Sequence, residues 1–244
     1  MYERAPDPPA LVPLSWKRHG RLRLIEEAKG RFGHAATSSG VAVCLAELDH
    51  AGHEFPLAFM RQPDGSVPLI AILGSPTVNL FVERDGRWSG RYTPAAMRVH
   101  PFGWRPDGSG QTILCIDEKS PYLSFEEGSP LFREDGAPTA LLRQSTDFVA
   151  RLVQQLVETE KAARALLMCG ILQPWHLPLP GTESSPSGLL RVNEAQLREL
   201  APETLRTLLD KGALALAYAQ LHSTTLMARL EERAAQRRRV LPGR

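Results

Sequence analysis

An α+β fold, with an antiparallel, hairpin-rich sheet in the N-terminal half and a helical C-terminal half, is what this sequence predicts. Three observations lead there. Short apolar runs separated by Asp-Gly pairs fill residues 55–116, the hydrophobic period becomes that of a helix from Thr139 onward, and the chain has 43% hydrophobic and 23% charged residues, an ordinary balance for a packed protein. A length of 244 residues suits one large domain or two small ones. The divisions expected are an N-terminal arm over 1–33, a strand-rich region over 34–137 and a helical region over 138–244, with 34–235 also readable as one continuous domain.

The arm mixes prolines with the basic stretch Trp16-Lys17-Arg18-His19-Gly20-Arg21 and has no sustained period. Val41 to His53 reads as a short helix, since Val43, Ala46, Leu48 and Ala51 lie about three to four apart, although the same run can begin as a strand. The runs Phe55 to Met60, Val67 to Leu73, Val78 to Val82, Trp88 to Tyr92 and Thr112 to Ile116 have strand length and are rich in branched or aromatic residues. Asp64-Gly65, Asp85-Gly86, Asp107-Gly108 and Asp135-Gly136 supply tight turns, because glycine tolerates positive φ and aspartate bonds to its own backbone. Thr93 and Pro94 are placed to start one helical turn over Ala95 to Arg98.

Beyond Thr139, the residues Leu141, Leu142, Phe148, Val149, Leu152, Val153, Leu156 and Val157 form one broad stripe opposite Arg143, Gln144, Asp147, Arg151 and Gln154. Continued to Cys169 and stopped at Gly170, such a helix spans ~45 Å at ~1.5 Å per residue, and a bend near Glu158 to Glu160 is expected. Leu177 to Gly188 is a proline-, glycine- and serine-rich surface loop. Asn193 caps a helix through Leu200, Pro202 opens another through Asp210, Ala213 to Leu221 fits strand or helix, and Ser223 caps a last helix.

No apolar run reaches the ~18–20 residues that cross a bilayer. An acid and a proline cluster occupy residues 1–9, where a secretory signal places basic and then apolar residues. Cys44, Cys115 and Cys169 are odd in number and far apart, which fits reduced thiols in a cytoplasm better than a disulfide framework or a zinc motif. A net charge of +2 is too small for a general nucleic-acid binder. Arg237-Arg238-Arg239 could meet a phosphate or an acidic partner, but also reads as the solvated end of the last helix.

Glu47, Asp49, His50, His53 and Glu54 form the densest group of ligand-type side chains, but their spacing is that of no closed zinc site, and a polar helix end accounts for them equally well; no metal and no cofactor is expected. Cys115 precedes Asp117 and Glu118, whose charges would raise a thiol pKa, so it reads as a buried structural cysteine. GxSxG, GxxxxGK[ST] and GxGxxG are all missing from the chain. Asn79, Trp88, Tyr92, Arg98 and Phe102 combine aromatic bodies with polar handles, as interface anchors do and as a sheet core and edge also do.

Those residues also carry a resemblance. Asn79-Leu80-Phe81-Val82, Asp85-Gly86-Arg87-Trp88, Tyr92-Thr93-Pro94-Ala95 and Arg98-Val99-His100-Pro101-Phe102 are similar to the signature of the SapC family, first met in bacterial surface-layer operons. Leu114 to Asp117, Pro130 to Phe132, Asp135 to Thr139, Gly170 to Leu172, Arg191 to Glu194, Gly212 to Leu214 and Tyr218 to Ser223 follow in the family's order, so the resemblance covers about residues 34–230. Asn193 stands where the family usually has aspartate, which weakens an acid role there. The resemblance implies association with surface-layer biogenesis and serum resistance, beside a one-step export apparatus, and in other bacteria proximity to outer-membrane receptors and flavin-dependent halogenases. A permease label given to similar chains does not suit a sequence without a membrane span.

The expected function is therefore that of a non-catalytic, cytoplasmic interaction protein with a protein or peptide partner, assisting biogenesis or export of a surface-layer or secreted polypeptide. Two alternatives stay open: an enzyme of unrecognised class acting on a peptide or small molecule, and a small-ligand, flavin-like binding protein. The candidate binding residues are Asn79, Trp88, Tyr92, Arg98, Asp117, Glu194, Tyr218 and Gln220. An enzyme built on Asn79, Arg98, Asp117, Glu194, Tyr218 and Gln220 requires them to converge in one pocket.

Overall fold

Residues 11–25, 30–75, 77–107, 111–177 and 186–239 are described by a computed structural model. In chain order come β1 (Leu11–Pro13), α1 (Trp16–His19), β2 (Arg23–Leu24), β3 (Gly40–Ala42), α2 (Leu48–Glu54), β4 (Leu57–Met60), β5 (Leu69–Ile72), β6 (Gly74–Ser75) and β7 (Val78–Asn79). Next are α3 (Ala95–Arg98), β8 (Phe102–Pro106), β9 (Thr112–Asp117), β10 (Leu123–Ser124), β11 (Ser129–Pro130) and α4 (Ala140–Met168). β12 (Leu172–Pro174), β13 (Leu189–Val192), α5 (Glu194–Arg198), α6 (Pro202–Asp210), α7 (Ala213–Ser223) and α8 (Met227–Arg239) complete the set. The fold is α+β with antiparallel pairing throughout the named ladders.

A five-stranded sheet of order β12-β13-β4-β5-β3 forms the centre. Two of its strands come from beyond α4, so the helical half closes the sheet begun in the first half. A second sheet, β1-β9-β8, takes its edge from the lead-in stretch, where Val12 faces Ile116. Three Asp-Gly turns form as the sequence predicts: Asp64, Asp85 and Asp135 each accept the amide two residues on at 2.9, 3.1 and 3.0 Å, and each following glycine sits at φ 82. Gly108, most of the loop 177–188 and residues 1–9 lie outside the described residues.

Two hydrophobic cores result. One packs the central sheet against α7 and the end of α4 through Phe55, Leu57, Phe59, Leu166, Leu216 and Ala217; the other surrounds β8 and β9 with Phe102, Ile116, Leu131 and the start of α4. Helix α4 is continuous for 29 residues, giving Leu142, Val149 and Leu152 to the second core and Ala162, Ala163 and Leu166 to the first. Thr139 caps it by accepting the Leu142 amide, and Gly170 ends it at φ 71. No helix among the described residues is long and apolar enough to cross a membrane.

Several local expectations are corrected, and two that the sequence leaves open between strand and helix are decided. Val41 to His53 is an edge strand, a 3-10 turn over Leu45–Glu47 and only then α2, because β3 pairs with β5 and the Leu45 amide bonds Thr159 Oγ1 at 2.8 Å. Trp88 to Tyr92 is not a strand. The indole folds back, its Nε1 donating to the Tyr92 carbonyl at 2.8 Å, and only an isolated bridge joins Val82 to Trp88. Ala213 to Leu221 is helical, with Ala213, Leu216, Ala217 and Gln220 on its buried side. Helix α5 stops at Arg198, and Ser223 does not cap α8; its hydroxyl accepts the Leu57 amide at 2.9 Å and donates to the Gln220 carbonyl at 2.8 Å.

Candidate functional site

Where the two cores meet, a cleft of about 640 Å³ opens between Phe32, Trp88 and Met97 on one side and Leu24, Pro101 and Tyr122 on the other. Its aromatic wall is braced from behind. Trp88 stacks on Phe81 at 5.5 Å and meets Phe32 edge-on at 5.6 Å, and the Tyr92 carbonyl fixes its indole N–H.

Helix α3 sets the rim. It begins at Ala95, and neither Thr93 nor Pro94 caps it with a side chain; Glu47 accepts the Ala95 amide at 2.6 Å instead. The same buried carboxylate accepts the Tyr92 hydroxyl at 2.7 Å and the Cys44 amide and thiol at 3.2 Å each. Burial, then the bond to Glu47 and its charge, push the Tyr92 hydroxyl up to about 12. Thus held, α3 turns Met97 into the core and Arg98 out to the rim. The Arg98 guanidinium lies over Phe148 at 5.3 Å and Tyr92 at 6.0 Å.

The cleft also holds two parallel imidazoles, His34 and His100, whose centroids are 3.8 Å apart. Burial pushes His100 down to about 4. Burial and then the neighbouring His100 lower His34, against the opposing pull of Asp117. Both rings are therefore neutral at pH 7. His100 Nε2 is bonded to Ser120 Oγ at 2.8 Å, but Ser120 is buried, receives the Tyr122 amide at 3.2 Å and does not line the cleft. This serine acts as a brace for the ring and is not presented as a nucleophile.

The fold brings together some of the predicted residues. Trp88 and Arg98 line the cleft, Tyr92 stands behind its rim, and Asp117 lies near His34, its Oδ1 accepting the Lys119 amide at 3.1 Å. Asn79 is wholly buried, its side chain bonded to the Ala35 carbonyl at 3.1 Å and the Phe81 amide at 2.9 Å. Gln220, also wholly buried, ties α7 to the Val192 amide and the Leu57 carbonyl. Glu194 pairs with Arg198 on α5, and Tyr218 is exposed beside His222. Of the six polar groups whose convergence the enzymatic alternative requires, Arg98 alone lines this cleft.

Elsewhere, Glu54 accepts the Arg91 amide at 3.1 Å and His53 Nδ1 bonds the Asp49 carbonyl at 2.6 Å, so the dense ligand-type group is largely engaged in holding the backbone. Arg237, expected in a solvated tail, donates to the carbonyls of Asn79 and Val82 at 2.7 and 2.9 Å. His34 and Tyr122 were not singled out from the sequence, and His100 appeared there only within a motif; no spacing relates them. Their hydrophobic and aromatic neighbours give the cleft the chemistry of a binding site for an apolar body.

Among known protein families, the model described as SapC matches residues 14–230. No curated protein and no solved structure matches the chain.

Proposed function

Since this chain belongs to the SapC family over residues 14–230, we propose that it is a non-catalytic interaction protein of the cytoplasm, assisting the biogenesis or export of a surface-layer or secreted polypeptide that it holds at the cleft between its cores. The observation that carries this reading is the pairing of a rigid aromatic wall, Phe32 and Trp88, with an exposed arginine at the rim. Aromatic planes and arginine are the groups that anchor protein interfaces. The three thiols are free, which suits a reducing compartment.

A photo-crosslinking residue introduced at Arg98 in the native host tests it, with the same residue at exposed Arg198 on α5 as the control. The expected product is a covalent adduct with a surface-layer or secreted polypeptide at Arg98 and not at Arg198. Absence of any polypeptide adduct at Arg98, or identical adducts at both positions, overturns the proposal.

A further inference from the structure

Resting on that reading, we infer that the cleft recognises a carboxylate next to an aromatic or large apolar side chain, so that the segment it takes from its partner is acidic at that point. Among the described residues two cations line the cleft, Arg31 and Arg98, and both are exposed. Neither is ion-paired with a carboxylate among the described residues. No aspartate or glutamate stands among the described lining residues. Of the buried carboxylates behind the lining, Glu47 already receives Tyr92, Ala95 and both polar groups of Cys44, and Asp117, whose charge reaches His34, accepts the Lys119 amide.

Among the described residues, the side chains that line the cleft thus carry positive charge and no negative one, and that charge comes from the two arginines while the imidazoles are neutral. A guanidinium binds a carboxylate through parallel hydrogen bonds, more strongly than it binds a neutral amide. Phe32, Trp88 and Tyr122 supply flat apolar surface beside those cations, and about 640 Å³ lies within the usual range for ligand sites. An occupant that meets both features joins a negative group to an aromatic or large apolar one. In a polypeptide that carboxylate is either the chain terminus or an acidic side chain.

Three short N-acetylated alanine peptides distinguish these sources: one ending in phenylalanine with a free carboxylate, its C-terminal amide, and an amidated peptide with phenylalanine followed by glutamate in its interior. Binding to the full chain is read from the ring C–H resonances of His34 and His100. One or both carboxylate peptides are expected to bind at least roughly tenfold more tightly than the simple amide. The double variant Arg31→Gln and Arg98→Gln should remove that advantage, so that the carboxylate peptides bind it no more tightly than the amide does. Binding by the free terminus alone identifies a chain end as the ligand, whereas binding by the interior glutamate shows that an acidic side chain suffices. If the amide binds as tightly as both carboxylate peptides, or the double variant keeps the difference, the inference falls while peptide binding at the cleft stands. If no peptide moves either histidine at millimolar concentration, the inference and the placement of the polypeptide in this cleft both fall.

Discussion

His34 and His100 lie face to face, 3.8 Å between centroids and 8° between planes, and Tyr122 presses edge-on against both at 5.7 and 5.2 Å. The pair joins the turn after β2 to the residue pair leading into β8, segments far apart in sequence. Two neutral rings stack in this way without penalty. Two charged ones at this separation repel, and each has lost part of its hydration.

A dependence of stability on pH follows. His100 is held at about 4 in the folded protein against an ordinary 6.5, so the unfolded chain binds more protons between those values. The stabilisation is complete above pH 6.5 and is lost as the pH falls towards 4. His34 is shifted in the same direction. Urea midpoints measured from pH 7 to pH 4 should fall more steeply for the natural protein than for His100→Gln. Parallel profiles would show that the stacked pair is not held neutral.

Glu47 is the second test of how the rim is built. It satisfies three elements at once: the turn at Cys44, the Tyr92 hydroxyl and the first amide of α3. Glu47→Ala leaves those donors without an acceptor in a buried place and should cost about 2 to 4 kcal/mol in urea denaturation. Tyr92→Phe removes one bond and should cost about 1 kcal/mol. A loss at Glu47 no larger than that at Tyr92 would mean that the carboxylate is not the common anchor.

The sequence made legible what local chemistry decides and little of what distant segments decide together. Three Asp-Gly turns and the start of α4 after Thr139 depend on neighbours within a few positions, and they form where the pattern puts them, with Leu142, Val149 and Leu152 of the stripe buried and Val157 exposed. The joining of β13 to β4 depends on Leu190 finding Phe59 across more than half the chain, and no period announces it. The site divides in the same way. Trp88 and Arg98 stand out as residue types and do line the cleft, but Asn79 and Gln220 are polar for an internal reason, to satisfy backbone groups between elements. Glu47, in a group that suggested surface ligands, is buried because Tyr92 and Ala95 fold over it.

Trp88 and Arg98 should separate stability from recognition. Trp88→Ala removes a ring packed against Phe32, Phe55 and Phe81 and should cost about 3 kcal/mol or more. Arg98 is exposed, and Arg98→Ala should change stability by less than about 1 kcal/mol while weakening capture of the partner. Equal thermal unfolding of both variants would contradict the assignment of Trp88 as a brace.

Gln220 offers the opposite case. Its amide accepts from Val192 at 2.9 Å and donates to Leu57 at 3.3 Å, so Gln220→Leu exposes two strand groups to an apolar side chain and should cost about 2 to 4 kcal/mol. Peptide binding by the fraction that remains folded should be unchanged. Lost binding at full stability would return this residue to the site.

The cysteines provide a test that needs no substitution. Cys44 is 3% exposed, and burial followed by the Glu47 carboxylate pushes its thiol up to about 12. Cys115 is fully buried on β9 and raised by burial. Only Cys169, at the end of α4, is half-buried and reachable. Alkylation is a reaction of the thiolate, so burial and a raised pKa both protect Cys44 and Cys115. Iodoacetamide at neutral pH should label Cys169 in the native protein and all three thiols only after denaturation, as read by peptide mass mapping. Early labelling of Cys44 would mean that the turn beneath α3 opens in solution, and with it the support that holds Arg98 at the rim of the cleft.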